Sequence, residues 1–282
     1  IETLTDLKAG AHLYHLDLTD HDVEQALTKI RRQESGMDFQ RLPLHEIVCI
    51  SGLWIDEKGF RLFSFSQESN SEAEMLTKFL SIFDKKQPTL ISWNGSQFDL
   101  PVILFRAMYH GLSASSLFDQ GEIDQQKRYN NYQNRYHQRH VDLMDVMAMF
   151  NGRHFQKLDD IAYLLGFPGK RVDAGYHVPA FMQSGEWSRL TRYCEGDVLN
   201  TWLIYLRWLL LKGQLLLEEH TQWVQHTIQY LHTQPQHADF LSVWQHSSQQ
   251  TEFTRTDFPE KSVSTSSNEP VMPFKSSPSS DI

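Results

Sequence analysis

Tyr193 and Asp197 stand four positions apart in Tyr193-Cys-Glu-Gly-Asp197, within a stretch whose apolar periodicity is helical. On a helix, that spacing puts phenol and carboxylate on one face, where they can hold a water near a metal ion. Alone, the pair also reads as a solvated Asp beside a core Tyr. Asp99 ends the segment Ser92-Trp-Asn-Gly-Ser-Gln-Phe-Asp99, in which a short strand gives way to a polar loop and then a helix. Strand ends of this kind are where α/β proteins place their chemistry. The competing reading is a helix N-cap with Pro101 in the first turn, and one Asp can do both. Glu2, in Ile1-Glu-Thr3, is by itself an exposed terminal residue whose interest depends on the other two.

A different chemistry is suggested by residues 125–140, which carry Lys127, Arg128, Arg135 and Arg139, no acid, and tyrosines at 129, 132 and 136. Charge that follows a phosphate backbone, interleaved with flat rings, suits a single-stranded nucleic-acid groove. A solvated polar loop is the alternative. Candidate strand contacts are Asn94, Lys127, Arg128, Tyr132, Arg135, Tyr136 and Arg139. Asp142 and Asp145 either support the site or cap a helix, and Lys170 and Arg171 either hold a phosphate or are simply solvated.

The elements that must position these groups follow from period and punctuation. Ile47–Ile55 and Phe60–Phe65 read as strands joined by the turn Asp56-Glu-Lys-Gly59. Ser71-x-x-Glu74 has capping-box spacing and precedes an amphipathic helix to about Lys85. A short strand at Thr89–Trp93 leads to a helix from Asp99 to about Gly111. Another helix, Leu158–Leu165, ends at Gly166, and the longest helical run is Glu186–Gly213. Residues 6–46 are polar and helix-prone, an elaboration between a first strand and the hairpin. Hairpin, helix, strand and helix in this order predict an α/β domain, a mixed β-sheet flanked by helices. Beyond about Thr233 the composition turns to Ser, Thr, Gln, His and Pro, predicting a disordered tail over 233–282 after a domain spanning 1–232.

A 282-residue chain with 40% hydrophobic residues, seven Trp and seventeen Phe has ample material for a core, which excludes wholesale disorder. The net charge of −9 excludes a protein that grips duplex nucleic acid by bulk positive charge, so any such contact must be local. Two cysteines cannot build a disulfide framework or a four-thiolate zinc site, and a reducing, cytoplasmic compartment fits them best. The apolar run Val198–Leu211 is interrupted by Asn200, Thr201 and Arg207 and falls short of the ~20 residues a membrane helix needs. No signal peptide is visible, and residue 1 is Ile rather than Met, so the sequence is read as starting either inside a longer reading frame or after processing.

Taken together, Ile1-Glu-Thr3, Asn94-Gly-x-x-Phe-Asp99 and Tyr193-Cys-x-x-Asp-Val-Leu-Asn-Thr201 resemble the three motifs of the DEDD 3′–5′ exonucleases, in the subgroup with Tyr in the third motif. The likeness is to bacterial predicted exonucleases related to the proofreading domain of family B DNA polymerases. His140-Val-Asp-Leu-Met-Asp145, Leu158-Asp-Asp-Ile-Ala162 and Gly166-Phe-Pro-Gly-Lys170 support it, and it covers residues 1 to about 220. The resemblance implies a ribonuclease H-like fold and hydrolysis of single-stranded DNA from the 3′ end to nucleoside monophosphates. Glu2, Asp99 and Asp197 would be metal-ligating carboxylates, and Tyr193 would orient the attacking water. Two Mg²⁺ or Mn²⁺ ions about 3.5–4 Å apart would activate that water and stabilise the leaving alkoxide. The family's first Asp falls one position before Ile1. Two rival expectations are a nucleic-acid-binding module with an incomplete centre and an exoribonuclease on the same scaffold.

Overall fold

The computed structural model describes residues 1–170 and 178–250, without the side chains of Gln183 and residues 247–250. In chain order the elements are β1 (Glu2–Thr5), α1 (Leu7–Tyr14), α2 (Asp20–Ser35), β2 (His45–Asp56), β3 (Gly59–Ser66), α3 (Glu72–Lys86), β4 (Leu90–Ser92), α4 (Asp99–Tyr109) and α5 (Ser115–Phe118). They continue with β5 (His140–Asp142), α6 (Leu143–Met147), α7 (Leu158–Leu164), α8 (Val178–Ser184), α9 (Trp187–Leu211), α10 (Leu217–His232) and α11 (Ala238–Gln250). Strands β1, β2 and β3 form one sheet in that order, and β4 pairs parallel with β5. Small sheets flanked by helices are the mixed α/β class that the alternating periods predict.

The chain divides into two compact units. The first comprises Ile1–Gly52, Phe63–Phe155 and, after the undescribed residues, α8 with α9 as far as Glu195. The second comprises the hairpin tip Leu53–Leu62, residues 156–170 and the described chain from Gly196 onward.

In the first unit, β2 is buried continuously from Ile47 to Ile50, which is why it reads as an unbroken apolar run rather than an alternating one. Ile47 and Ile50 pack with Met75, Leu76, Leu80 and Phe83 of α3 and with Leu100, Val102 and Ile103 of α4. Val48 and Cys49 pack instead with Phe181, Leu190 and Cys194. The capping box at Ser71 forms as its spacing predicts, with Ser71 Oγ accepting from the Glu74 N–H and Glu74 accepting from the Ser71 N–H. The polar stretch after β1 is two packed helices, α1 and α2. Gly10 lets them approach, since a Cβ there would drive into the Leu27 side chain. Asp6 caps α1 and accepts from buried Arg106, an ion pair of 2.7 Å, so it has a structural task of its own.

The second unit is centred on aromatic rings. Phe60 lies 5.8 Å from Trp202 and 5.6 Å from Tyr230, and Trp202 Nε1–H donates to Thr227 Oγ1. The predicted tail boundary is wrong. Residues 238–250 are helical, and Phe240, Leu241 and Trp244 are buried, with the Trp244 ring against Phe167. Three apolar residues on one helical face suffice to dock a segment whose average composition is polar. No helix among the described residues is long and apolar enough to cross a membrane.

Candidate active site

The loop that carries Asp99 is built by the parallel pair β4–β5. Its register sets Ser92 opposite Asp142, so the Asp142 carboxylate stands at the carboxyl end of both strands. One oxygen accepts from the Asn94 N–H and the other from the Ser96 N–H, each at 2.9 Å. Asn94 is left-handed, at φ +63°, and Gly95 follows because a Cβ there would collide with the Ser92 side chain. The buried His140 lies beneath, with Nδ1 on the Tyr132 carbonyl at 3.2 Å and Nε2 at 2.7 Å from Ser92 Oγ. Only the Nδ1–H tautomer serves both, with Nε2 accepting from the hydroxyl. Burial pushes the His140 pKa down, so the ring is held neutral. Asp142 therefore supports the loop, one of the two roles its sequence allowed. Ser92 and His140 are structural partners of that loop which no spacing signalled.

Asp99 is the first residue of α4 rather than its cap: the cap position is Phe98, and no side chain caps the helix. The Asp99 carboxylate is 27% exposed and lies 2.8 Å from the Ile1 nitrogen, which brings the start of β1 to the head of α4. Glu2 pairs opposite Cys49, and the register shifts between Glu2 and Thr3, an irregularity of the type that re-aims a side chain. Thr3 Oγ1 is anchored 2.9 Å from His45 Nδ1. Leu4 and Tyr193 pack on the Cys49–Cys194 cluster, and the Tyr193 ring lies 6.2 Å from Phe181. Within the first unit, Asp99 thus stands at the start of β1 beside Glu2, and Tyr193 packs on the cluster that β2 forms with α8 and α9.

Asp197 belongs to the second unit, one helical turn beyond Tyr193 in α9. Its carboxylate lies 3.1 Å from Lys170 Nζ. The turn that presents Lys170 is tied to α9 by Asn200, which accepts from the Gly169 N–H at 3.0 Å and donates to the Gly169 carbonyl at 3.2 Å. Lys170 is thus paired with a carboxylate, whereas sequence offered phosphate or solvent. Arg171 lies outside the described residues. The donor types suit a hard divalent cation, being carboxylate oxygens. Among the described residues no three His, Cys, Asp or Glu side chains form a group that could hold a metal ion.

The basic aromatic stretch separates into framework and surface. Lys127 is buried and donates to the Ser115 and Ser116 carbonyls, with Asp119 at 3.7 Å. Tyr132 is 3% exposed, donates to the Pro88 carbonyl at 2.6 Å and sets its ring edge-on to Phe83; burial pushes its hydroxyl pKa up. Both expectations of strand contact are corrected: these side chains are committed to the interior, because acceptors distant in sequence face them. Arg135 grips Asp145, and Arg139 donates to the Gln87 carbonyl at 2.9 Å. Arg128, Tyr129 and Tyr136 are exposed, and Asn94 is half-buried in its loop.

Sequence comparison with known families finds a match, over residues 37–247, to a family described as a predicted 3′–5′ exonuclease related to the exonuclease domain of PolB. The match includes Asp99, Tyr193 and Asp197 and begins after Glu2. No curated protein and no solved structure matches significantly. With three of the four motif residues inside a match covering most of its length, the chain belongs to this family of predicted 3′–5′ exonucleases.

Proposed function

We propose that the protein is a 3′–5′ exonuclease that removes nucleoside monophosphates from single-stranded DNA ends and requires Mg²⁺ or Mn²⁺. The observation that carries the reading is the family match over the motif residues Asp99, Tyr193 and Asp197. Its support in the fold is the Asp142-braced loop, which holds the backbone leading to Asp99 rigid through two charge-assisted hydrogen bonds. In this reading Glu2, Asp99 and Asp197 supply the carboxylates, and the Tyr193 hydroxyl positions water, a contribution of geometry rather than proton transfer. The ribonuclease H-like label belongs to the same reading.

The rival is a strand-binding module that does not cut. It is favoured by the ammonium of Lys170 lying on the Asp197 carboxylate. A 5′-labelled single strand incubated with the protein and Mg²⁺ or Mn²⁺ separates the two. A ladder shortening from the 3′ end, abolished by chelator, supports the exonuclease; an intact strand that stays bound supports the module. Matched RNA and DNA strands decide the sugar, since only contacts to the 2′ position distinguish them.

A further inference from the structure

Beyond α6 the chain does something unusual for large side chains. Met149 and Phe150 are consecutive left-handed residues, at φ +51° and +61°, a conformation that residues with a Cβ adopt only at a cost. The turn is held by the Phe150 N–H on the Asp145 carbonyl at 2.9 Å and by Arg135 Nη2 on the Phe150 carbonyl at 3.3 Å. Arg135 is itself fixed by the buried Asp145 carboxylate and lies with its guanidinium 5.0 Å over the Phe150 ring. Tyr136 meets the same ring edge-on at 4.9 Å. The product of this strain and bracing is apolar surface facing outward: Met149 is 84% exposed, Tyr136 is 70% exposed, and Met147 and Phe150 are half-covered. Locally strained backbone that presents side chains instead of burying them points to a binding role.

The charge around it names the occupant. In a chain of net charge −9, the two segments that build this surface, 125–140 and 146–155, contain no acid and carry exposed Arg128 and Arg153. Rings and a thioether, with the nearby Asp145 carboxylate buried and neutralised by Arg135, suit unpaired bases on a phosphate backbone. We propose that Tyr136, Met149 and Phe150 form a stacking platform for the unpaired bases of a single nucleic-acid strand. This rests on the nucleic-acid reading above and extends it to Met149 and Phe150. Met149 and Phe150 lie one short helix beyond Asp142, the residue that braces the Asp99 loop.

The test is equilibrium binding in chelator, so that no turnover intervenes, of a labelled single-stranded oligodeoxynucleotide and of a strand of equal length made of abasic residues. The full chain should prefer the base-bearing strand. Tyr136→Ala should weaken that strand roughly tenfold, leave the abasic strand unchanged and leave the salt slope unchanged, because stacking releases no counterions. Met149→Ala should act in the same direction, and Tyr136→Phe should bind like the parent. Both positions are exposed, so folding is not at risk. The platform is overturned if the parent does not distinguish the two strands, if Tyr136→Ala binds both as the parent does, or if it weakens both equally. It is also overturned if Tyr136→Ala abolishes self-association of the chain while strand affinity stays constant, which would assign the surface to a second copy. A parent that binds as expected but never cuts sinks only the exonuclease reading. A parent that cuts while Tyr136→Ala binds normally sinks only the platform.

Discussion

Asp142 braces the loop before the candidate residue Asp99 without belonging to the candidate set itself. Its carboxylate is buried and receives two backbone N–H groups of the loop before Asp99. Asp142→Asn removes the charge and turns one acceptor into a donor facing an N–H, which costs about 1–3 kcal/mol. The expected outcome is a lower thermal midpoint together with a fall in cleavage of at least about tenfold, since a displaced loop misplaces the carboxylate it carries. Asp197→Asn should differ: cleavage is lost while strand binding and the thermal midpoint stay close to the parent, because little volume changes and its ion pair with Lys170 is partly exposed. Tyr193→Phe should lower the cleavage rate by less than Asp197→Asn. Single-turnover rates beside melting curves distinguish the three.

Among the elements, the turn before Lys170 and helix α11 are the ones whose roles were least visible beforehand. Gly169 is left-handed, at φ +59°, and a Cβ there would collide with Asp159. Gly169→Ala should therefore destabilise by roughly 2 kcal/mol or more, combining conformational strain with steric overlap. It should also disturb the hydrogen bonds to Asn200 that seat the Lys170 turn. For α11, a chain ending at Thr233 would leave Phe167 without Trp244 and remove the buried Phe240 and Leu241. That truncation should lower stability by at least ~3 kcal/mol, given ~1.5–3 kcal/mol per large apolar side chain buried. A chain ending after Gln250 is the comparison, and equal urea midpoints for the two would contradict the packing seen here.

At the level of the whole molecule, buried imidazoles set an acid limit. Burial lowers the pKa of His45 and His140, and it takes His220 down to about 4, with Arg207 adding to the effect. In the unfolded chain these rings titrate near ~6.5. Between the two values the unfolded state binds more protons, so stability is complete above about pH 6.5 and is lost as pH falls toward 4. His220 alone accounts for on the order of 2–3 kcal/mol of that change. Its Nε2 has no hydrogen-bond partner among the described residues, so His220→Leu removes a buried unpaired polar atom together with the titration. Urea midpoints measured across this range should rise with pH in the parent and less steeply in His220→Leu. An identical slope in both would mean that His220 is accessible to protons in the folded state.

What the amino-acid order determined by itself is what depends on neighbours along the chain. The apolar run of β2, the capping box at Ser71, the extent of α9 and the left-handed Gly166 all follow from residues within a few positions of one another. The motifs were legible for the same reason, being short strings placed on recognisable elements. Partnership across the chain was not. Tyr132 looked like a stacking ring until the Pro88 carbonyl, 44 positions away, met its hydroxyl. Lys127 looked like a phosphate contact until the Ser115 and Ser116 carbonyls closed over it. Asp142 supports the Asp99 loop from 48 positions away, and Trp244 finds Phe167 in a stretch whose composition argued against folding. Side-chain type states what a group can bond to, and periodicity states which face it leaves. Which donor or acceptor arrives opposite is decided only when distant segments pack, because a buried polar group must be paired by whatever the fold brings to it.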